Sequence, residues 1–264
     1  MLLAKSCHEK DHIKSRKTIK VGTLYEYQTT EIEQIADRHE GEITFLLNFD
    51  GRVEIDLDWF SAVFHGNMNF GEKKSLIING ISKTHTHRLI ITSTNKNTVI
   101  VQDSSATITR ESLNCFVFCM SEIRKTSDCH GMFPEYDSYW YLMASRAQIF
   151  ARKLGEMLLE QIKENHNKGL YVLPPETDMT DIKILVDFRK VTYTPREIQF
   201  QKESTFSLNE FMGIINDMVF IKPEKYSHEK ELRFHYVIVS HGKIIQPIIK
   251  NIILSADRLL PFIM

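Results

Sequence analysis

Residues 220–240 read FIKPEKYSHEKELRFHYVIVS. After Pro223 the composition turns β-branched and aromatic, and the run ends at the His241-Gly242 pair, so a strand is expected here, followed by a turn. A second apolar run, KIIQPIIKNIIL, follows that turn. At the start of the strand Glu229, Glu231 and Arg233 alternate with Lys230 and Leu232, and a period of two puts all three on one face. Just upstream, Ser207 and Glu210 form an S-x-x-E capping box that opens a helix, SLNEFMGIINDMV. DIKILVDFRKVTYT, before that, reads as another strand.

Working outward, NCFVFCMSEI (114–123) is a strand rich in aromatic and β-branched residues, and it runs into the polar stretch RKTSDCHGMFPEYD. Residues 136–167 carry apolar side chains at three-and-four spacing, from Tyr139, Leu142 and Met143 through Phe150, Leu154 and Leu158 to Ile162. They predict one long helix with Asp137 or Ser138 as its N-cap. Residues 42–109 break into short β-like runs, EITFLLNF, RVEIDLDWF, SLIINGI, HRLIITST and NTVIVQ, punctuated by DG, NG and NKN turn signals. TIKVGTLYEY starts as a strand at Thr18 and leads into a segment where Thr30 and Glu33 suggest a cap. Together these elements predict an α+β fold, a mixed and largely antiparallel sheet with two main helices. The expected organisation is a flexible basic arm at 1–17 followed by a single α+β domain at 18–264.

The 264 residues are 42% hydrophobic and 25% charged, with 11 glycines and 7 prolines, which excludes collagen-like, low-complexity and wholly disordered chains. Lys+Arg 33 against Asp+Glu 34 gives a net charge of -1, so no global positive field draws the chain to nucleic acid or an anionic membrane. The apolar C-terminal stretch is interrupted by Gln246, Pro247, Lys250, Asn251, Asp257 and Arg258, short of the ~20 apolar residues that span a bilayer. With four cysteines and no signal-peptide pattern, the expectation is a soluble, reduced, cytoplasmic protein with no membrane partner.

Cys115, Cys119, Cys129 and His130 have metal-ligand chemistry, but on a strand Cys115 and Cys119 lie roughly 13 Å apart. Buried core thiols are the favoured reading. His85 and His87 share a strand face about 7 Å apart, compatible with a metal or phosphate contact or simply with an exposed polar face. There is no Gly-rich phosphate loop, G-x-S-x-G elbow or H-E-x-x-H helix. Aromatics 136–141 either pack or line a cleft at a helix N-terminus that favours an anion. Glu229, Glu231 and Arg233 read either as a solvated strand face with a salt bridge or as a catalytic carboxylate pair. In the second reading one carboxylate stabilises an oxocarbenium-like centre and the other orients the acceptor.

These motifs, taken together, resemble a group of poorly characterised bacterial proteins that includes abortive-infection components. The shared elements are Gly22, Thr23, Leu24 and Tyr27, then Asp37, Glu40 and Gly41. They continue with Phe118, Cys119 and Ser121, then Tyr136, Asp137, Ser138 and Trp140, and end with Lys222, Pro223, Tyr226, Glu229, Glu231 and Arg233. More distantly, Y-S-H-E-K-E-L is similar to the E-x-E strand of ADP-ribosyltransferases. That likeness implies an ADP-ribosyltransferase-like fold, with Glu231 catalytic, Glu229 orienting the acceptor, and Lys20, Gly22, Thr23, Tyr27, Ser121 and Arg233 binding NAD, the substrate. Val21 stands where many members of that family carry His. The implied activity is a toxin-like or phage-defence effector moving ADP-ribose from NAD to a macromolecular acceptor, nucleic acid or protein. The alternatives are an NAD glycohydrolase, a nuclease using Glu229, Glu231 and His235 with a metal, and a non-enzymatic defence partner or antitoxin-like binding module that holds a toxin, sensor or phage protein. The expected partners of the effector are its acceptor and an antitoxin or defence-system partner.

Overall fold

The computed structural model describes residues 1–31, 35–64 and 79–264. In chain order the elements are β1 (Leu2–Cys7), α1 (Ile13–Arg16), β2 (Thr18–Thr23), α2 (Leu24–Thr29), β3 (Glu42–Asp56), α3 (Leu57–Val63), β4 (Ile81–Thr94) and β5 (Thr98–Glu111). They continue with β6 (Phe116–Ile123), β7 (Ser138–Met143), α4 (Ala147–Asn167), β8 (Lys183–Lys190), β9 (Thr192–Tyr193), β10 (Glu197–Phe200) and α5 (Leu208–Asp217). The last are β11 (Ile221–Lys222), β12 (Glu231–Ser240), β13 (Lys243–Ile245) and β14 (Asn251–Ser255). The protein is mixed α and β, mostly sheet with a few helices, and among the described residues the two longest helices are α4 and α5. No helix among the described residues is long and apolar enough to cross a membrane.

The chain forms two compact units where a single domain was expected: residues 1–40, 114–193 and 224–264 make the first, and residues 41–113 and 194–223 the second. The first holds a curled antiparallel sheet of eight strands, ordered β13-β12-β6-β1-β7, with β8 on the other edge of β12 and β14-β2 joining β6. Alternation along β12 sends Leu232, Phe234, Tyr236 and Ile238 into the core against α4, where Phe150, Leu154 and Leu158 are fully buried. Gly155 permits this close approach, because a Cβ there would lie 2.9 Å from Val186 Cγ2 and 3.3 Å from Tyr236 Cε1. Tyr236 stays in the core by donating its hydroxyl to the Ala151 carbonyl at 3.2 Å.

β6 is the branch point of this sheet. One edge pairs with β12 from Phe116 to Ser121, while the other is shared: β1 takes Ser121 to Ile123 and β2 takes Phe116 and Val117. Between them the Cys119 carbonyl accepts from Lys5 Nζ at 3.0 Å, and the Lys5 ammonium lies 4.9 Å from the centre of the Phe118 ring. The second unit is the four-stranded sheet β10-β3-β5-β4, antiparallel except for β10 on β3. Its core is aromatic, with the Trp59 ring on α3 against Phe200 and Phe211.

Several expectations change. Residues 1–17 are no loose arm: β1 is hydrogen-bonded between β6 and β7, and Leu3 is fully buried. The long helix begins at Ala147, because residues 138–143 form β7, paired with β1 from Leu2↔Met143 to Cys7↔Ser138. Asp50-Gly51 makes no hairpin but a bulge within β3, where Gly51 has φ +71° and its N–H donates to Asp103 Oδ1 at 2.8 Å. DLDWF starts α3 instead of ending a strand, since the Asp56 carboxylate accepts from the Asp58 and Trp59 amides. Thr23, not Thr30, caps the helix after β2, and Glu33 and most of SLIINGI lie outside the described residues. The Ser207 cap of α5 forms as expected, as does the β4-β5 hairpin at residues 95–97.

Candidate active site

The face of β12 opposite the α4 core carries Glu231, Arg233 and His235, paired across the ladder with Ser121, Cys119 and Val117 of β6. Arg233 donates from Nε to Glu231 Oε1 at 2.6 Å and from Nη1 to Glu40 Oε1 at 2.7 Å. The three side chains are 3%, 5% and 2% exposed. Burial works against the Arg233 charge, but the Glu231 and Glu40 carboxylates outweigh it and hold its pKa well above the ordinary value. The Glu231 backbone is fixed as well, its N–H donating to Tyr193 Oη at 2.8 Å and its carbonyl accepting from Val191 N at 2.9 Å.

Glu229 is not on this strand. It closes a 3-10 turn, Glu224–Glu229, and Lys230 then takes φ +45°, so the period of two that would align Glu229 with Glu231 is broken before β12 begins. Glu229 is nevertheless buried. Ser121 is buried directly opposite Glu231.

β2 and α2 bring the Gly22-Thr23 pair and Tyr27 to the same region. Gly22 pairs with Val117, and a Cβ on it would lie 2.5 Å from Glu26 Oε2 and 3.4 Å from Tyr27 Cε2, so a larger residue would push the Glu26 carboxylate from its place. Thr23 is fully buried, accepting from Glu26 N at 3.3 Å and donating to the Lys250 carbonyl at 2.9 Å, which uses its hydroxyl for capping and anchoring. Lys20 is exposed and pairs with Glu26 at 2.6 Å, while Asn251 Nδ2 holds the same Glu26 at 2.8 Å. Tyr27 directs its hydroxyl toward Cys119 Sγ at 4.0 Å.

The electrostatics of the face follow from burial. The Cys119 thiol is pushed up to about 12 by burial and then by the charge of Glu231, to which it is hydrogen-bonded. Tyr27 is raised well above its usual range by burial first, then by the neighbouring Cys119 and Glu231. Burial lowers Lys5, with Cys119 and Glu231 acting in the opposite direction. His235 falls to about 4 through burial and the neighbouring Arg233 charge, so it is a neutral imidazole at neutral pH.

Of the residues expected at a site, Gly22, Tyr27, Ser121, Glu231 and Arg233 gather along β6 and its neighbours. Thr23 is committed to the fold, Lys20 to Glu26, and Glu229 to a turn. Sequence reasoning missed Lys5, Tyr193 and the part played by Glu40. The only signal for Lys5 was a lysine in register with Leu3 in the apolar LLAK. His235 lies four residues along β12 from Glu231, roughly 13 Å at the rise of a strand, so the two do not share one metal ion. Among the described residues no group of three or more His, Cys, Asp or Glu is placed to hold a metal. His85 and His87 are exposed on β4, ring centres 4.5 Å apart, with His87 Nε2 3.4 Å from Thr107 Oγ1. No protein-family model matches the chain, and neither a curated protein nor a solved structure matches it.

Proposed function

We propose that the polar face at the β6 branch point is an NAD site on an ADP-ribosyltransferase-like fold, and that the protein transfers ADP-ribose to a macromolecular acceptor, nucleic acid or protein. One observation carries this reading: Glu231, on the central strand, lies directly across from Ser121 and beside the Cys119-Tyr27 contact. Tyr27 is delivered there by the Gly22-Thr23 step at the end of β2. In this reading Glu231 supplies the negative charge that stabilises the oxocarbenium-like ribose as nicotinamide departs, and Tyr27 offers a ring for stacking. The setting is that of a toxin-like or phage-defence effector, as the shared late Y-x-x-E-x-E-x-R segment suggests.

Purified protein and its Glu231→Gln variant, incubated with labelled NAD and cell extract, test the proposal. Glutamine keeps the shape and leaves Arg233 its Glu40 partner, so turnover should vanish from a folded variant. Label in protein or nucleic acid with the wild type alone identifies a transferase and its acceptor class, whereas free ADP-ribose alone identifies a glycohydrolase. Equal turnover by both proteins refutes the role of Glu231. A second reading has its own observation: Glu231 is 5% exposed and already ion-paired. On that ground the network is structural and the chain is a binding module for a defence partner, in which case NAD is neither bound nor consumed.

A further inference from the structure

We propose that Glu40 is a positioning residue of this site, acting on Glu231 through Arg233. The guanidinium is a rigid planar fork, and its two edges are divided: Nε serves Glu231 and Nη1 serves Glu40, 193 positions away in sequence. Removing the Glu40 carboxylate takes the charged acceptor from a buried nitrogen and frees the fork to turn and grip Glu231 through two nitrogens of one edge. The direction of the Glu231 carboxylate and the neutralisation of its charge then both change. With Glu40 in place one cation is shared by two anions, and the three groups sum to a negative charge, the sign that favours a developing cation.

Glu40 is itself held in place. Its N–H donates to the Asp37 carbonyl at 2.9 Å and its carbonyl accepts from Gln28 Nε2 at 2.8 Å. Asp37 N donates to the Tyr27 carbonyl at 3.0 Å, and Tyr226 Oη donates to the Ala36 carbonyl at 3.2 Å. Residues 36–40 are thus strapped to the helix that carries Tyr27, so the D-x-x-E-G segment links the Tyr27 helix to the Glu231 strand. The chemical consequence rests on the NAD reading above; the positioning itself does not.

The experiment compares wild type, Glu40→Gln and Glu40→Asp by two readouts. By NMR, exchange of the Arg233 Nη1 protons, which Glu40 holds, should quicken about 10–100-fold in Glu40→Gln, the loss expected for a charge-assisted hydrogen bond, while backbone amides of Phe234 and Tyr236 stay protected. With NAD, kcat should fall by a similar factor with KM within about twofold, and Glu40→Asp should recover part of both effects. Unchanged Arg233 exchange in Glu40→Gln overturns the inference whatever the turnover does. Quickened exchange in a protein that consumes no NAD upholds the positioning and removes the NAD reading instead. If Glu40→Gln fails to fold, Glu40→Asp decides: Arg233 Nη1 protons as protected as in wild type overturn the inference, and an intermediate rate upholds it.

Discussion

Replacing Arg233 with Met removes the one cation shown bridging two buried carboxylates while keeping a long side chain to fill the space. Glu40 and Glu231, contacted at 2.7 and 2.6 Å and almost wholly out of solvent, would lose that counter-charge. Taking one partner from a buried ion pair costs about 3–5 kcal/mol. The same figure emerges from protonation. Keeping one glutamic acid neutral at pH 7, when its unfolded pKa is about 4.3, costs roughly 3.7 kcal/mol, and only about 1 kcal/mol at pH 5. The sign follows: in the variant the folded state binds the proton more tightly than the unfolded state. Stability is therefore retained below the unfolded pKa and lost as pH rises toward neutrality. Wild type shows no such limb from Arg233, whose charge persists throughout. Urea unfolding read by Trp140, in a Trp59→Phe background, isolates the unit that holds the network, since the chain has 2 tryptophans and each unit has one. The deficit should shrink about fourfold from pH 7 to pH 5. Adding Glu40→Gln and Glu231→Gln to Arg233→Met should restore most of it, because an uncharged trio no longer carries buried charge. A deficit equal at both pH values, or below about 1 kcal/mol at pH 7, would refute the reasoning.

Three further outcomes are expected. His235, with a folded pKa of about 4 against an ordinary 6.5, is surrounded by Arg233, Asp187 and Arg189. Its contribution is present above pH 6.5 and lost as pH falls through 4, so His235→Gln should flatten the acid limb by about 1–3 kcal/mol, and NMR of the imidazole should show no titration between pH 5 and 8. Gly155→Ala should destabilise by about 1–3 kcal/mol despite the better helix former, because its Cβ meets Val186 and Tyr236; Val186→Ala in the same chain should recover part, read by thermal melting. Cys115 and Cys119, both pushed to about 12, and Cys7, to about 11, should react with a thiol reagent at pH 8 far more slowly in the native protein than in urea; fast native labelling of Cys119 would show that the face is open.

Much of the local structure was legible because it depends on neighbours in sequence. The alternation of β12 and of β6, the Ser207 cap, the turn at residues 95–97 and the pairing of Arg233 with Glu231 two positions away all rest on short-range spacing. Residues 138–143 were ambiguous, since Ser138, Trp140 and Leu142 fit a period of two while Tyr139, Leu142 and Met143 fit a helix. The ladder with β1 settles the matter, and β1 looked like an arm because its six residues pair only with segments more than a hundred positions away.

The site divides in the same way. Sequence alone determined that Glu231 and Arg233 share a strand face, that a Gly-Thr step precedes Tyr27, and that the chain has enough apolar residues for a sheet with helices packed on it. Tertiary structure alone decided that Glu229 ends a 3-10 turn before β12 begins, that Thr23 and Lys20 are occupied elsewhere, and that Lys5 fills the fork along β6. It also decided that Glu40 shares the Arg233 charge. Strand periodicity is a property of consecutive residues, whereas a buried charge selects its partner by desolvation, and that partner is found only once chain segments 193 positions apart have been packed together.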